Sequence, residues 1–157
     1  ERYLAHLDAY PDAMTRGSFP AHLTASALVL NSTRTHALLT LHAKARQWFQ
    51  LGGHCEPTDT TLAAAAMREA TEESGIEGLQ LDPVPFFADD HEVPFCGDWP
   101  TPVHHYDVWF LITAPDQAQP TVSEESLQLL WWPLTELPGD SRAWEPALAA
   151  LAERLSG

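Results

Sequence analysis

Three glutamates, Glu69, Glu72 and Glu73, have a spacing that brings their carboxylates together on one side of a helix. At about 100° per residue they fall within an arc of roughly 100° on a helix that we predict over Thr60–Ser74. Like charges at this spacing repel one another, and Arg68 can offset one of them. The remaining negative charge favours a bound cation, and hard oxygen donors suit Mg²⁺ or Mn²⁺. The alternative interpretation is a solvated acidic helix face without a ligand.

A glycine pair upstream of this helix, Gly52 and Gly53, favours the ligand site over the bare acidic face. Glycine lets backbone groups approach a ligand closely, and the start of the helix that follows favours anions. We expect Asp59 or Thr60 to cap the helix and Gly75 to end it. Carboxylates beside an anion-binding loop indicate metal-assisted phosphate chemistry.

The elements that must position these residues are predicted from apolar runs and turn residues. We predict a short helix over residues 1–10, strands over 22–30, 36–42, 48–51, 79–93, 104–113 and 127–133, and a closing amphipathic helix over 143–155. The first two strands form a hairpin, and Pro83 and Pro85 break the fourth. Strands precede and follow the central helix in the sequence, and strands and helices do not alternate regularly. This pattern predicts an α+β fold or a mixed-sheet sandwich.

Charge and cysteine content limit the class of protein. The formal net charge is −14, with eight Lys and Arg residues in the whole chain, and a nucleic-acid-binding domain usually carries a basic patch. We therefore expect no duplex nucleic acid as a partner. Two cysteines without a CxxC pair fit a reducing cytoplasm. No apolar run approaches the roughly 20 residues that cross a bilayer, and no signal peptide is visible, so we expect a cytoplasmic protein with no membrane partner.

The stretch from Gly53 to Ile76 resembles the Nudix box. That motif is a glycine, five residues, a glutamate, seven residues, and then Arg-Glu-hydrophobic-x-Glu-Glu-x-Gly-hydrophobic. The segment Arg68–Ile76 matches the second half at every fixed position. The first half departs from the motif twice, because Asp59 stands in place of the glutamate and one extra residue precedes the helix.

The resemblance implies an α/β/α sandwich around a mixed β-sheet. We expect a single Nudix domain over residues 1–157, with an N-terminal extension over residues 1–20. The family often forms homodimers, and a homodimer is also the commonest arrangement of soluble oligomers, so we keep it as an expectation.

In Nudix enzymes the glutamates in the second half of the box hold divalent cations. The resemblance gives this role to Glu69, Glu72 and Glu73, joined by the backbone carbonyl of Gly52. The box arginine orients a neighbouring glutamate, which implies the same role for Arg68. The ions polarise phosphoryl oxygens and orient water, and a glutamate removes the proton. That base often comes from the box, here Glu72 or Glu73, and sometimes from a later loop.

Two loop glutamates, Glu124 and Glu125, lie just ahead of the segment Leu129–Leu134. Many family members carry an acidic residue at about this distance before a Trp-x-Pro-Leu segment. We favour Glu125 for a metal or base role, and the alternative is a solvated acid in a loop.

Four further residues are predicted to bind substrate. His54, inside the Gly-Gly loop, is placed to meet a phosphate. Lys44 and Arg46 are two of the few basic residues and precede a predicted strand, and we expect them to contact phosphate. Trp99 lies in a loop beside a proline and is the best candidate to stack on a base, whereas tryptophans are otherwise core residues by default.

Several titratable side chains surround the proline-rich loop that contains Cys96: His91, His104, His105 and Asp107. One interpretation is a second metal site, because His105 and Asp107 share one face of a strand. We favour hydrogen-bonded or surface histidines and assign the loop to substrate contact.

The predicted function is metal-dependent hydrolysis of a pyrophosphate linkage in a nucleoside-diphosphate-linked (NDP-X) or nucleoside triphosphate substrate. One rival is a Nudix-fold sensor that binds a nucleotide derivative without cleaving it, although a sensor does not need three ligand carboxylates. A second rival is an isomerase acting on an allylic diphosphate, which the same fold can host.

Overall fold

The computed structural model describes residues 1–94 and 96–157 of the chain. These ranges contain the helices α1 (Arg2–Ala9), α2 (Leu62–Ser74) and α3 (Ser141–Ser156). Their strands are β1 (Ala21–Leu30), β2 (His36–His42), β3 (Trp48–Phe49), β4 (Leu51–His54), β5 (Gln80–Leu81), β6 (Phe87–Val93), β7 (Val103–Thr113) and β8 (Ser126–Pro133).

The strands form one mixed sheet with β1 near its centre. The path β3-β2-β1-β7-β5 runs through the sheet, while β4 pairs with β1, β6 with β7, and β8 with β2. The β1–β7 pair is parallel, from Ala21 beside His104 to Leu30 beside Thr113. The other pairs are antiparallel. Buried on both faces, β1 reads as a run of small and apolar residues with few polar interruptions.

Helices cover both faces of this sheet and divide the core in two. On one face Ala25, Ala27 and Val29 of β1 pack against Ala65, Ala66 and Ala70 of α2. On the other face Leu28 and Leu30 pack with Trp144, Ala147 and Leu151 of α3. The alternation follows from the two-residue period of a strand. The result is an α/β/α sandwich with a mixed sheet, as the resemblance to the Nudix box implies.

The predicted elements agree with the observed ones in kind, and the differences have local causes. Strand 48–51 is interrupted at Gln50, so that β3 pairs with β2 and β4 pairs with β1. Strand 79–93 is two separate strands, because prolines occupy positions 83 and 85 between β5 and β6.

Helix α2 begins later than predicted. Its cap is Thr61, whose hydroxyl accepts a hydrogen bond from the backbone N–H of Ala64 at 3.0 Å. The expectation that Asp59 or Thr60 caps the helix is therefore wrong, and the reason is that the Asp59 carboxylate binds Arg68 instead. The helix ends as predicted at Gly75, which takes up the left-handed conformation with φ of 63°.

The N-terminal helix α1 packs on the sheet through aromatic contacts. The ring of Tyr3 stacks on Tyr106 of β7 at 4.7 Å between centroids, and His6 binds the carbonyl of Ala21 at 3.0 Å. In residues 1–94 and 96–157, none of the helices has the length and apolar character required to span a bilayer.

Candidate active site

Strand β4 brings the glycine pair into contact with the carboxylates of α2. The N–H of Gly52 donates a hydrogen bond to Glu73 Oε2 at 3.3 Å. A Cβ atom at Gly53 would lie 2.7 Å from Glu69 Oε1, and a Cβ atom at Gly52, where φ is +143°, would lie 2.5 Å from the carbonyl oxygen of Ala25. Gly52 therefore requires glycine, because of its positive φ and the backbone of β1, whereas a side chain at Gly53 would displace the Glu69 carboxylate.

Arg68 connects the loop before α2 to the carboxylates on the helix. Its guanidinium donates to Asp59 through Nε at 3.1 Å and Nη2 at 2.9 Å. Nη1 lies 2.9 Å from Glu69 and 3.2 Å from Glu72, and Nη2 also donates to the carbonyl of His54 at 3.0 Å. The planar fork of arginine suits such a set of acceptors.

Asp59 binds Arg68 although the first half of the motif is irregular. The Asp59 side chain is 5% exposed, and its bonds to Arg68, together with the N–H of Glu56, hold the pKa of this carboxyl below its usual value. The Asp59 carboxylate thus contacts the arginine across a loop that has one extra residue before the helix. The sequence left the role of Asp59 open, and the structure shows it as the main partner of Arg68.

Burial raises the pKa values of two of the three helix carboxyls. Burial, followed by the charges of neighbouring carboxylates, raises the pKa of Glu73 to about 8. Burial also raises the pKa of Glu69, against the opposing effect of Arg68. Glu72 has a more exposed side chain, at 59%. The helix therefore presents a half-buried group of carboxyls. The positive charge nearby is too small to stabilise all of them in the ionised form.

Glu125 belongs electrostatically to the same group of acids. Its charge raises the pKa of both Glu69 and Glu73, although it precedes β8 and is more than 50 residues away in the chain. Its backbone carbonyl accepts a hydrogen bond from the N–H of Ala43 at 3.3 Å. This bond places the exposed turn that carries Lys44 and Arg46 beside the Glu125 loop.

His54 and Trp99 have contacts with other side chains in the structure. The Nε2 atom of His54 lies 3.3 Å from Cys96 Sγ, and the imidazole packs with those of His22 and His105. The indole of Trp99 is 40% exposed and stacks on Phe19 at 5.0 Å between centroids. Contact of either residue with substrate stays a prediction.

A compact group forms on the sheet face opposite α2: His22, His54, His105 and Cys96. One ligand atom from each of the four lies within 4.8 Å of every other. Burial lowers the pKa of His54 to about 4 and that of His105 to about 3, and it also lowers the pKa of His22. The three imidazoles are therefore neutral at physiological pH.

The sequence indicates only part of this group. His105 and Cys96 lie close together in the sequence pattern, whereas the signal for His22 is only a single histidine inside the apolar run of β1. The other residues of that set have separate partners. His91 pairs with Asp89 at 2.8 Å and His104 with Asp90 at 2.7 Å. Asp107 is buried and accepts hydrogen bonds from Thr24 and Ser26.

The chain belongs to the Nudix family. A model of the NUDIX domain matches residues 20–153, which is most of the chain. The fold with its mixed sheet, and the glycine pair seated on the helix carboxylates, agree with that assignment. Among curated proteins, none matches the sequence.

Solved structures share the fold at low sequence identity. An Ap4A hydrolase from C. elegans is 18% identical, with a TM-score of 0.66 over 86% of this chain and 98% of that chain. The E. coli dihydroneopterin triphosphate pyrophosphohydrolase is 20% identical, with a TM-score of 0.57 over 83% and 84%. An ADP-ribose pyrophosphatase from Streptococcus suis is 18% identical, with a TM-score of 0.58 over 84% and 91%.

Proposed function

We propose that this Nudix pyrophosphohydrolase uses Mg²⁺ or Mn²⁺ to cleave a pyrophosphate linkage in an NDP-X or nucleoside triphosphate substrate. The observation that carries the proposal is the contact of Gly52 and Gly53 with Glu73 and Glu69. It joins the backbone of the box loop to the carboxylates in one half-buried group. The names of the similar structures, which concern a dinucleoside polyphosphate, a pterin triphosphate and ADP-ribose, agree on a phosphoanhydride and differ in the rest of the molecule.

The donors present fit a hard divalent cation. Carboxylate oxygens come from Glu69, Glu72 and Glu73, and the Gly52 carbonyl would add a backbone oxygen. The raised pKa of Glu73 has its cause in burial and in nearby carboxylates, and a cation would remove that cost. When bound, the ion supplies Lewis-acid activation of phosphoryl oxygens and of water.

The residues of the chain have separate roles in this reaction. Arg68, held by Asp59, fixes the carboxylates of Glu69 and Glu72 in place. The base that takes the proton from water is Glu125 or a box glutamate, Glu72 or Glu73. We favour Glu125 because it is exposed and because its charge acts on the carboxyls of Glu69 and Glu73.

Substrate phosphates would meet the exposed turn that carries Lys44 and Arg46. This turn is bonded to the Glu125 loop through Ala43, and its positive charges would attract an anion in an otherwise acidic protein. We propose that Trp99, whose side chain is exposed, stacks on the base of the substrate. We further propose a small nucleotide-type molecule as the partner, the cytoplasm as the compartment, and a homodimer as the assembly.

A substrate screen tests the proposal. Purified protein is given nucleoside triphosphates, nucleotide sugars, ADP-ribose and dinucleoside polyphosphates, each with Mg²⁺, Mn²⁺ or EDTA, and products are identified by mass. We expect hydrolysis of one class that EDTA abolishes and that Mg²⁺ alone restores. A ligand that raises the melting temperature without yielding product would favour the sensor, and a product of unchanged mass would favour the isomerase.

The pH dependence of metal binding follows from Glu73. Its pKa in the metal-free fold is about 8, above the ordinary 4.5, so the folded protein holds a proton that the unfolded chain loses. Stability of the metal-free protein therefore falls as pH rises from about 4.5 to 8. Because Mg²⁺ must displace that proton, its apparent affinity should rise up to about tenfold per pH unit and level off above pH 8. Titration calorimetry across this range checks the slope, and a flat profile would contradict it.

A further inference from the structure

We propose that His22, His54, His105 and Cys96 form a structural zinc site, separate from the carboxylate site. Three imidazole nitrogens and one thiolate are a donor set that suits Zn²⁺ and that the oxygen-preferring Mg²⁺ disfavours. The residues come from β1, β4, β7 and the loop after β6. Zinc would therefore tie together four parts of the chain at one end of the sheet.

The spacing of the donor atoms matches a tetrahedral site. With Zn–N near 2.0–2.1 Å and Zn–S near 2.3 Å, ligand atoms lie about 3.3–3.7 Å apart. Cys96 Sγ lies 3.3 Å from His54 Nε2 and 3.6 Å from His22 Nε2. The full set stays within 4.8 Å, so small side-chain shifts would complete the geometry.

Hydrogen bonding alone does not account for this group. The Nδ1–H of His22 donates to the carbonyl of Ser18 at 3.1 Å, which leaves Nε2 with a lone pair directed toward Cys96. The Cys96 thiol can donate to His22 Nε2 and accept an N–H from His54 Nε2, but these two hydrogen bonds leave out His105. The Nε2 atom of His105 is buried without a hydrogen-bond partner among the residues that the structure describes. A cation bound by all four atoms would satisfy every one of these groups.

The backbone bond from His22 to Ser18 also resembles the support that metal-bound histidines normally have. Such a bond fixes the tautomer and the ring orientation. Zinc binding would release the thiol proton of Cys96 to solvent and form the Zn–S bond, and the imidazoles would bind as they are.

The site would also position the box loop. His54 directly follows Gly53, and its carbonyl accepts a hydrogen bond from Arg68 at 3.0 Å. Zinc bound to the His54 imidazole would therefore hold in place the peptide that follows the glycine pair and whose carbonyl binds Arg68. Under this proposal His54 binds zinc rather than phosphate.

Metal content tests the proposal directly. Protein purified without a polyhistidine tag is expected to hold about one zinc per chain after dialysis against excess Mg²⁺, by elemental analysis. Cys96→Ser should lower the zinc content at least about tenfold, and His105→Gln should do the same. Cys55→Ser is the matched control, because Cys55 is a half-buried thiol whose sulfur lies near the Leu23 carbonyl. Equal zinc in Cys96→Ser and in wild type would overturn the proposal.

Cobalt spectroscopy gives a second readout that needs no variant to fold. Co²⁺ bound to wild-type protein should show a sulfur-to-metal charge-transfer band and tetrahedral d–d bands. The carboxylate site has oxygen donors only and gives neither. Absence of the sulfur band in folded wild type would also overturn the proposal. Glu72→Gln should leave zinc content and the cobalt spectrum unchanged, so a failure of the zinc site is distinguishable from a failure of the hydrolase proposal.

Discussion

Replacing Glu73 by Gln should lower metal-dependent turnover at least about 100-fold and should stabilise the metal-free protein at high pH. Loss of outer groups that support metal ligands typically costs 10–100-fold, and a direct ligand should cost at least as much as the upper value. The stabilisation follows because burial and neighbouring acids raise the pKa of Glu73 to about 8. An uncharged amide avoids that cost above this pH.

The two readouts distinguish a metal ligand from a structural residue. Turnover is measured on the substrate found in the screen, and melting temperatures are measured in EDTA at pH 6 and pH 9. Glu77→Gln is the matched control, because Glu77 is an exposed acid just beyond α2. A Glu73→Gln protein with full turnover would remove Glu73 from the site. One that is less stable than wild type at pH 9 would contradict the account of its pKa.

Replacing Asp59 by Ala should lower the free energy of unfolding by about 1.5–3 kcal/mol. The variant loses a charged hydrogen-bond acceptor for Arg68 in a poorly exposed pair, and hydrogen bonds to charged groups contribute in this range. Arg68 keeps its contacts with Glu69, Glu72 and the carbonyl of His54, which limits the loss. Denaturant unfolding at pH 7 measures the difference.

The pH dependence of this difference identifies its cause. The pKa of Asp59 in the fold lies below the ordinary 3.8, so its contribution is complete above pH values near 4 and is lost as pH falls through the folded pKa. The gap between wild type and Asp59→Ala should therefore shrink in acid. The exposed control Asp116→Ala should change stability by less than about 0.5 kcal/mol. A gap that stays constant down to pH 2 would show that lost packing, not the ion pair, causes the effect.

Local periodicity allowed the helical half of the site to be predicted. The arc of Glu69, Glu72 and Glu73 depends only on the geometry of one helix, and the glycine pair lies next to it in sequence. The hairpin of β1 and β2 is equally local, since a turn connects two apolar runs.

Contacts between distant segments could not be predicted in this way. The parallel pairing of β1 with β7 sets the register that brings His22 beside His105, and no sequence period specifies that register. The same limit applies to the approach of the Glu125 loop to α2. Capping propensity alone predicts the wrong N-cap for α2, because Asp59 is a good cap residue whose carboxylate binds Arg68 instead.

The parallel pairing of β1 with β7 sets an order in which the sheet can fold while the chain is being synthesised. Thr24 and Asp107, which hydrogen-bond to each other across this pair, are 83 residues apart. At about 5–20 residues per second, the ribosome needs roughly 4–17 s to add the chain between them. During that interval β1 has β2 and β4 as antiparallel partners, while its other edge has yet to meet β7. The β1–β7 pairing at the centre of the sheet therefore forms late, after helix α2 has already been made.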